Sequence, residues 1–597
     1  MTRHHRKSLV EVKEHLAQVA LGKKPADLVV KNGKLINVFT KEILDGKDIA
    51  VSEGRIAFVG DAKHTIGEGT RVIDADGRYL VPGLLDGHMH VESTMLSVTE
   101  FSKAALAKGT TAVFMDPHEM ANVFGLEGVR MMHDEGKNLP LKVFTTIPSC
   151  VPATEELEDA GASLGVKEIK EGLNWDERVA GLGEVMNFPG VVFGDEKTTG
   201  EISETILAGK AVTGHFPSTD EKMLQAYIAA GVTSCHETVT KEDGLEKLRA
   251  GLHLMIREGS AWHDVKEVIK VVTEDHVCTD NISLVTDDVY PQTLVDKGHL
   301  NHVVRRAIEE GVDPIVAVQM ATINVARYFH MEKDLGSLTP GKCADILLMD
   351  NLEKMVPSTV ITDGQIVYAD GGLQVEFERY DYPEKVKNSI RLPRQLASED
   401  FLLKSKHDKP VTKVNVIHAI ENSARTAKMT ADLPVEEGVI QPDLEQDIVR
   451  LACIERHNGT GQISNNFVHG FQLNRGAVAS TVAHDSHNLI VMGTNEEDMA
   501  FAANELVKMG GGMIVVNNGQ ILGKVAMPIA GLMSDQPLDV VVKEVQELEA
   551  GWKELGCPLN APFMTFSLIA LPVIPEIRIT NRGLADVTEF KLIETEL

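Results

Sequence analysis

His88 and His90 close a short apolar stretch beginning at Val81. If that stretch is a strand, residues two apart point to the same side, and both rings reach one metal ion. Alone, the pair reads more readily as two surface or hydrogen-bonded histidines. Further candidates follow at the ends of later apolar runs: Glu184 after Val179, His215 after Ala211, His236 after Val232 and Asp287 after Ile282. Four imidazoles and two carboxylates are about what a binuclear site for two divalent ions needs, with one carboxylate shared to offset the repulsion between the cations. A histidine and carboxylate set admits manganese, iron or zinc without ranking them.

Positioning these groups requires a repeated element. Eight apolar runs recur, with polar or ionisable groups clustered at their C-terminal ends: those ending at His88/His90, Asp116, Pro148, Glu184, His215, His236, Arg257 and Asp287. Helix-like and loop segments of roughly 20 to 35 residues separate them, the pattern of a TIM-type (β/α)8 barrel with its chemistry at the strand C-termini. The expected fold class is therefore α/β, with the barrel over 85–334.

Around the barrel the sequence predicts a split β-sandwich module, 26–84 plus 335–385. In its first half, Asn32-Gly33 reads as a turn between two apolar runs, and Glu53-Gly54 repeats the form. Its second half returns at Leu335–Met349 and Val360–Tyr368. Residues 1–25 carry Leu9, Val12, Leu16 and Val19 at helical spacing, which predicts an amphipathic helix rather than a targeting peptide, although Met1 to Lys7 is basic. Residues 391–597 read as an additional C-terminal α+β domain, with strands near 414–420, 462–471, 489–492 and 513–516 and helices over 496–509 and 538–555. Gly510 to Gly512 lacks a following Lys-Ser/Thr pair and reads as a tight turn, not a phosphate cradle.

The 597 residues, 43% hydrophobic and 25% charged, are those of a globular protein of several domains. No stretch has the roughly 18 uninterrupted apolar residues of a membrane span, and six scattered cysteines suit a reducing compartment. A cytoplasmic location is expected. The formal charge of −29 disfavours nucleic acid polymers and anionic membranes and suits a small neutral or cationic substrate.

The H-x-H strand, the later single histidines, the terminal aspartate and the split β module resemble the amidohydrolase superfamily. Where many binuclear members place a carboxylated lysine on the fourth strand, this chain has Glu184, unlike the hydantoinase, dihydroorotase and urease branches. The segments Gly87–Thr94, Met115–Glu119, Ile147–Pro152, Gly181–Asn187, Ser234–Glu237, Thr286–Asp288 and Ala483–Asn488 resemble the bacterial adenine deaminases over nearly the whole chain. The resemblance implies conversion of adenine to hypoxanthine and ammonia, with two divalent metal ions, manganese or iron ahead of zinc, held by His88, His90, Glu184, His215, His236 and Asp287. It implies a hydroxide attacking C6, with Asp287 as both ligand and proton shuttle, and a homo-oligomer, a dimer favoured.

A purine nitrogen must also gain a proton as C6 becomes tetrahedral. Glu237 and Glu119 are the candidates, Glu237 slightly ahead, though each is equally readable as a salt-bridged loop carboxylate. Asp116, His118, Glu92 and Ser93 are candidates to touch substrate or metal ligands; a carboxylate bonded to a ligand histidine would fix its tautomer. His484, Asp485 and His487 form either a locally bonded polar turn or a loop covering the barrel mouth, of this subunit or a neighbour. The same site chemistry would also serve another aminopurine or a cyclic amide, and a non-catalytic scaffold with this barrel is a third reading, against which all six ligand positions count.

Overall fold

The computed structural model describes residues 6–597 except 261, 422 and 424, so Met1 to His5 of the basic leader lie outside the described residues. The eight runs form parallel strands: β1 (Leu84–His90), β2 (Thr110–Met115), β3 (Lys142–Ile147), β4 (Val179–Val185), β5 (Ala211–Gly214), β6 (Ser234–Cys235), β7 (His253–Arg257) and β8 (Ile282–Val285). They pair in chain order within two sheets, β5 to β1 in one and β6 to β8 in the other. The chain leaving β8 pairs back onto β1 through Asp287 with Met89 and Asp288 with His90. Between β5 and β6 the Thr233 N–H donates to the Val212 carbonyl at 3.0 Å. Strands buried on both faces need continuous apolar runs, and β1, β2 and β4 are buried along their whole length.

The flanking β segments join one mixed sheet, in which Tyr79–Pro82 pairs antiparallel with Ile346–Met349. One face buries Leu28, Val30, Ile49, Val51, Ile346 and Leu348. The other receives the helix Leu9–Ala20, whose Val12, Leu16 and Val19 pack on Val29, Ala50 and Ala57; Leu9 stays at the rim, 36% exposed. One expectation is corrected here. Asn32-Gly33 does not turn the chain; it lies within the single strand Leu28–Asn37, as an irregularity in its pairing with Glu42–Ser52. Asn32 takes a positive φ of 55° there, its N–H donating to Asp48 and its amide to Asp74, so the left-handed residue makes a bulge instead of a hairpin. Glu53-Gly54, also at positive φ, does close the hairpin between Glu42–Ser52 and Arg55–Gly60. Buried Lys142, at the start of β3, ties barrel to sheet through Asp345 at 2.7 Å and Asp363 at 2.9 Å.

Beyond the module, a nine-stranded sheet runs from Val439–Ile440 to Gln520–Ala526. Alternation along its central strands divides the core: Ala477, Ala479, Leu489 and Val491 face the helix Glu496–Lys508, while Val478, Ile490, Met492 and Val515 face the helix Leu538–Glu554 and the barrel side. Gly510, Gly511 and Gly512 all have positive φ, at 80°, 115° and 125°, and turn the chain into Gly512–Asn517 as the sequence indicates. The Ser534 N–H donates to the Met95 carbonyl at 2.8 Å, stitching the C-terminal region to the barrel mouth. Among the described residues no helix is long and apolar enough to cross a membrane, and all six cysteines are free.

Glu201, on the helix Glu196–Leu207, is 1% exposed with Oε1 unpartnered, and burial pushes its carboxyl up to about 8. The unfolded chain loses this proton at an ordinary carboxylate pH, so rising pH favours unfolding until the folded carboxyl itself titrates. Glu201→Gln should match the parent in urea unfolding near pH 4.5 and exceed it increasingly up to about pH 8, by about 1.4 kcal/mol per pH unit. A constant offset across that range would contradict a neutral buried carboxyl.

Candidate metal centre

All six ligand candidates converge at the C-terminal ends of the strands. Glu184 occupies the middle: Oε1 lies 3.3 Å from His90 Nε2, and Oε2 lies 2.8 Å from His215 Nδ1 and 3.2 Å from His236 Nε2. Asp287 Oδ1 is 3.3 Å from His90 Nε2 and 3.9 Å from His88 Nε2. The rings of His88 and His236 stack with centroids 4.0 Å apart. Donor atoms of His88, His90 and Glu184 lie within 4.8 Å of one another, as do those of Glu184, His215 and His236 and those of His88, His236 and Asp287. Glu184 belongs to two of these sets, as a shared carboxylate must.

The backbone prepares the donors. His90 Nδ1 donates to the Asp116 carbonyl at 2.9 Å, which leaves Nε2 as the lone-pair nitrogen. That nitrogen faces two carboxylate oxygens, both at 3.3 Å; three electron-rich atoms in a dry site need a cation or proton between them. His88 Nε2 and Asp116 Oδ1 are also buried without hydrogen-bond partners. These orphaned atoms and the nitrogen and oxygen donor set fit divalent metal. It is the Asp116 main-chain carbonyl that fixes the His90 tautomer; the side-chain carboxylate instead accepts the Glu184 N–H at 2.8 Å and holds β4 against β2.

Electrostatics follow the same map. Burial pushes the Glu184 carboxyl up, but the imidazoles around it, with His236 at 3.2 Å and His215 hydrogen-bonded to Oε2, outweigh it and hold it well below the usual range. Burial and the neighbouring His236 hold His88 neutral, as a metal-ligating imidazole must be. For Asp287, burial pushes the carboxyl up, but nearby positive charge, that of Arg257 hydrogen-bonded to Oδ2 included, holds it well below the usual range. Beneath the site, Asp86 accepts from Thr286 Oγ1 at 2.6 Å and from the His88 N–H at 3.4 Å, linking β1 to the end of β8; burial raises its carboxyl to about 7.

Arg257, at the end of β7, is the functional group the sequence reading left without a role. Its Nη1 donates to Asp287 Oδ2 at 2.7 Å and to Glu237 Oε1, its Nη2 to Glu237 Oε2 at 3.1 Å, and its Nε to Asp264 at 2.8 Å. The available signal was a lone cation at a strand end where the other runs carry acids, histidines or neutral groups. Strand β6 ends at Cys235, so His236 and Glu237 need not alternate; they point to the same region, Glu237 Oε1 lying 3.7 Å from His236 Nε2 and 3.9 Å from His215 Nδ1.

The remaining candidates form a second tier. Ser93 Oγ donates to Glu119 Oε1 at 3.2 Å and makes a shorter bond to Asp288. Glu92 Oε1 accepts the Met120 N–H at 3.2 Å. His118 spans 3.4 Å to Glu184 Oε1 and 3.8 Å to Asp485 Oδ1. The loop containing His484, Asp485 and His487 thus reaches the barrel mouth of its own chain: His487 Nε2 is 3.6 Å from Glu119 Oε2, and His484 completes a buried cluster with both. Fully buried Arg456 holds this loop, donating from Nε to the His487 carbonyl and from Nη2 to the Ala530 carbonyl at 3.0 Å, while His457 Nε2 donates to the Ser486 carbonyl at 2.7 Å.

A family model described as "Amidohydrolase family" matches residues 79–367, the segment that contains the eight strands. With the site at their C-terminal ends, this defines the class: an amidohydrolase-family hydrolase. A second model, "Adenine deaminase C-terminal domain", matches 423–591. The chain is 50% identical over 590 residues to adenine deaminase of Moorella thermoacetica, covering 99% of both chains. It is 48% identical to that of Clostridium botulinum strain 657 and 46% identical to that of Mesorhizobium japonicum, covering 98% of both chains in each case. The chain belongs to the adenine deaminase family.

Arg257→Gln removes the cation that keeps Asp287 and Glu237 ionised, so both carboxyls rise. The acid limb of the pH profile of kcat/KM should move to higher pH, with a loss of about 3 kcal/mol in urea unfolding from leaving buried carboxylates unpaired. An unmoved limb would show that the pairing does not set these ionisations.

Proposed function

We propose that the chain hydrolyses adenine to hypoxanthine and ammonia at a binuclear site held by His88, His90, Glu184, His215, His236 and Asp287. The observation that carries this reading is the shared placement of Glu184 between two histidine sets, in a chain related over its full length to adenine deaminases. Manganese or iron suits these donors, with zinc a further candidate. When bound, such ions lower the pKa of water and neutralise charge that develops in the attack on C6.

The protein's own groups then divide the proton work. Asp287 takes the proton of the attacking water and returns it to the departing amine; Arg257 fixes Oδ2 and leaves Oδ1 facing His90. Glu119 supplies the ring-nitrogen proton. Burial raises its carboxyl, whereas burial of Glu237 is outweighed by Arg257, which holds that carboxylate ionised. His118, clamped between Asp485 and Glu184, retains positive charge at neutral pH: burial opposes it, but the Asp485 carboxylate 3.8 Å from Nε2 lifts it to about 10.

The two parallel sheets are read as one (β/α)8 barrel over 85–334, closed through Asp287 and Asp288 on β1. The helix of 1–25, the composite module of 26–84 with 335–385 and the C-terminal domain of 391–597 surround it. Six free cysteines support a reducing, cytoplasmic setting.

Ammonia release from adenine, followed together with the ultraviolet shift to hypoxanthine, tests the reaction on metal-loaded protein. Asp287→Asn should keep most of the bound metal and lose at least about 10³-fold in kcat, within the range of general acid–base effects. Persisting turnover would remove Asp287 from the proton path.

A further inference from the structure

The loop of His484, Asp485 and His487 holds one group whose direction the main chain dictates. The Ala483 N–H donates to His487 Nδ1 at 3.2 Å, and the His487 N–H donates back to the Ala483 carbonyl at 2.7 Å. An imidazole nitrogen that accepts a hydrogen bond carries the lone pair, so this ring is neutral and its hydrogen sits on Nε2. Burial and the neighbouring His484 likewise hold His487 neutral. Nε2 is buried, has no hydrogen-bond partner and lies 3.6 Å from Glu119 Oε2.

Main-chain contacts thus set two histidines oppositely. A carbonyl leaves the His90 lone pair facing the proposed metal centre, whereas an amide leaves the His487 hydrogen facing a carboxyl group. Donor atoms of Glu119, His484 and His487 lie within 4.8 Å of one another, a spacing that could suit a cation. The tautomer rules against that use, because no lone pair remains on Nε2.

Facing an N–H, Glu119 Oε2 accepts, and a proton on this carboxyl belongs on Oε1. Oε1 is 3.2 Å from Ser93 Oγ, which also bonds to Asp288. A serine has one hydrogen; given to Asp288, it leaves Oγ to accept from a proton on Oε1. When Glu119 gives up that proton, negative charge appears beside the His487 N–H, and the contact becomes charge-assisted.

We infer that His487 is a positioning residue for Glu119: its N–H keeps the acid proton on Oε1 and stabilises the carboxylate left when that proton passes to the purine nitrogen. This rests on the adenine reading above, with Glu119 as the ring-nitrogen acid. The 3.6 Å separation closes to hydrogen-bonding distance as the charge develops.

The test uses full-length, metal-loaded protein. His487→Asn offers the Ala483 N–H an amide oxygen but brings no donor to Glu119, whereas the longer His487→Gln carries an amide N–H about as far as imidazole Nε2. His487→Asn should lower kcat by about ten- to a hundredfold, with KM and metal content changed less than about threefold, and His487→Gln should recover most of that loss. In a Glu119→Gln background the added loss from His487→Asn should shrink to less than about threefold. Unchanged kcat in His487→Asn, equal losses in the two variants, or an added loss that does not depend on Glu119 overturns the assignment. In histidine nitrogen NMR spectra of the zinc-loaded wild type, the His487 ring should be neutral with its hydrogen on Nε2. A protonated ring, or one with its hydrogen on Nδ1, overturns the assignment even if no variant folds. Wild-type protein that has this tautomer but releases no ammonia from adenine would overturn the deaminase reading, and the role of His487 with it.

Discussion

The Glu184 carboxylate, 3% exposed, has nitrogens of four imidazoles within 3.4 Å, those of His90, His118, His215 and His236. A carboxylate so far from water is tolerable only when its oxygens are answered by positive charge or metal, and much of the surrounding structure provides that answer. Asp116 receives the Glu184 N–H and orients His90 through its carbonyl. Asp86 ties the His88 strand to the segment bearing Asp287. Arg257 supplies a fixed cation where Asp287 and Glu237 would otherwise repel. Removing any one of these leaves a charge stranded in a dry space, which explains why carboxylates and bases alternate so closely across the barrel mouth.

The same accounting joins the domains. His118 is balanced on its outer side by Asp485, which belongs to the C-terminal domain, and Asp485 in turn lies 3.6 Å from His484. Arg456 holds the loop from behind through main-chain carbonyls, so its guanidinium braces the loop without neutralising it. Asp159 extends the seam outward, its carbonyl accepting from Asn488 at 2.8 Å and its carboxylate pairing with Arg582 at 2.6 Å. The C-terminal domain is therefore part of the electrostatic surroundings of the barrel mouth.

The sequence carries those features that follow from periodicity and from the concentration of chemistry at strand ends. The eight strands lie where apolar runs stop at polar residues, and the six ligand candidates meet because each lies at such a stop or within two residues of a strand's last residue. Features that depend on partners distant in sequence were not legible. Arg257 is one basic residue until Glu237, Asp264 and Asp287 are seen around it. The His90 tautomer is set by a main-chain carbonyl, which has no sequence signature, and Asn32-Gly33 gives the same signal for a bulge as for a hairpin because both use a left-handed residue. Glu237 stands slightly ahead of Glu119 in sequence because it adjoins His236, whereas the guanidinium that holds its carboxylate ionised is not visible there. The rings of Tyr290 and Phe563, with centroids 5.1 Å apart, belong to residues far apart in the chain, for which no local pattern exists.

The pairing of Tyr79–Pro82 with Ile346–Met349 also fixes an order of events during synthesis. The first half of the mixed sheet leaves the ribosome with an unpaired edge, and its partner arrives only after every barrel strand has been made. The eight parallel strands thus lie in a long loop between the two halves of the mixed sheet, a connection that costs loop entropy before any pairing repays it. The loop at His484 and the helix at Phe563 emerge later still. Until almost the end of translation, the groups that face Glu119 and His118 from the C-terminal region, His487 and Asp485, are absent from the nascent chain.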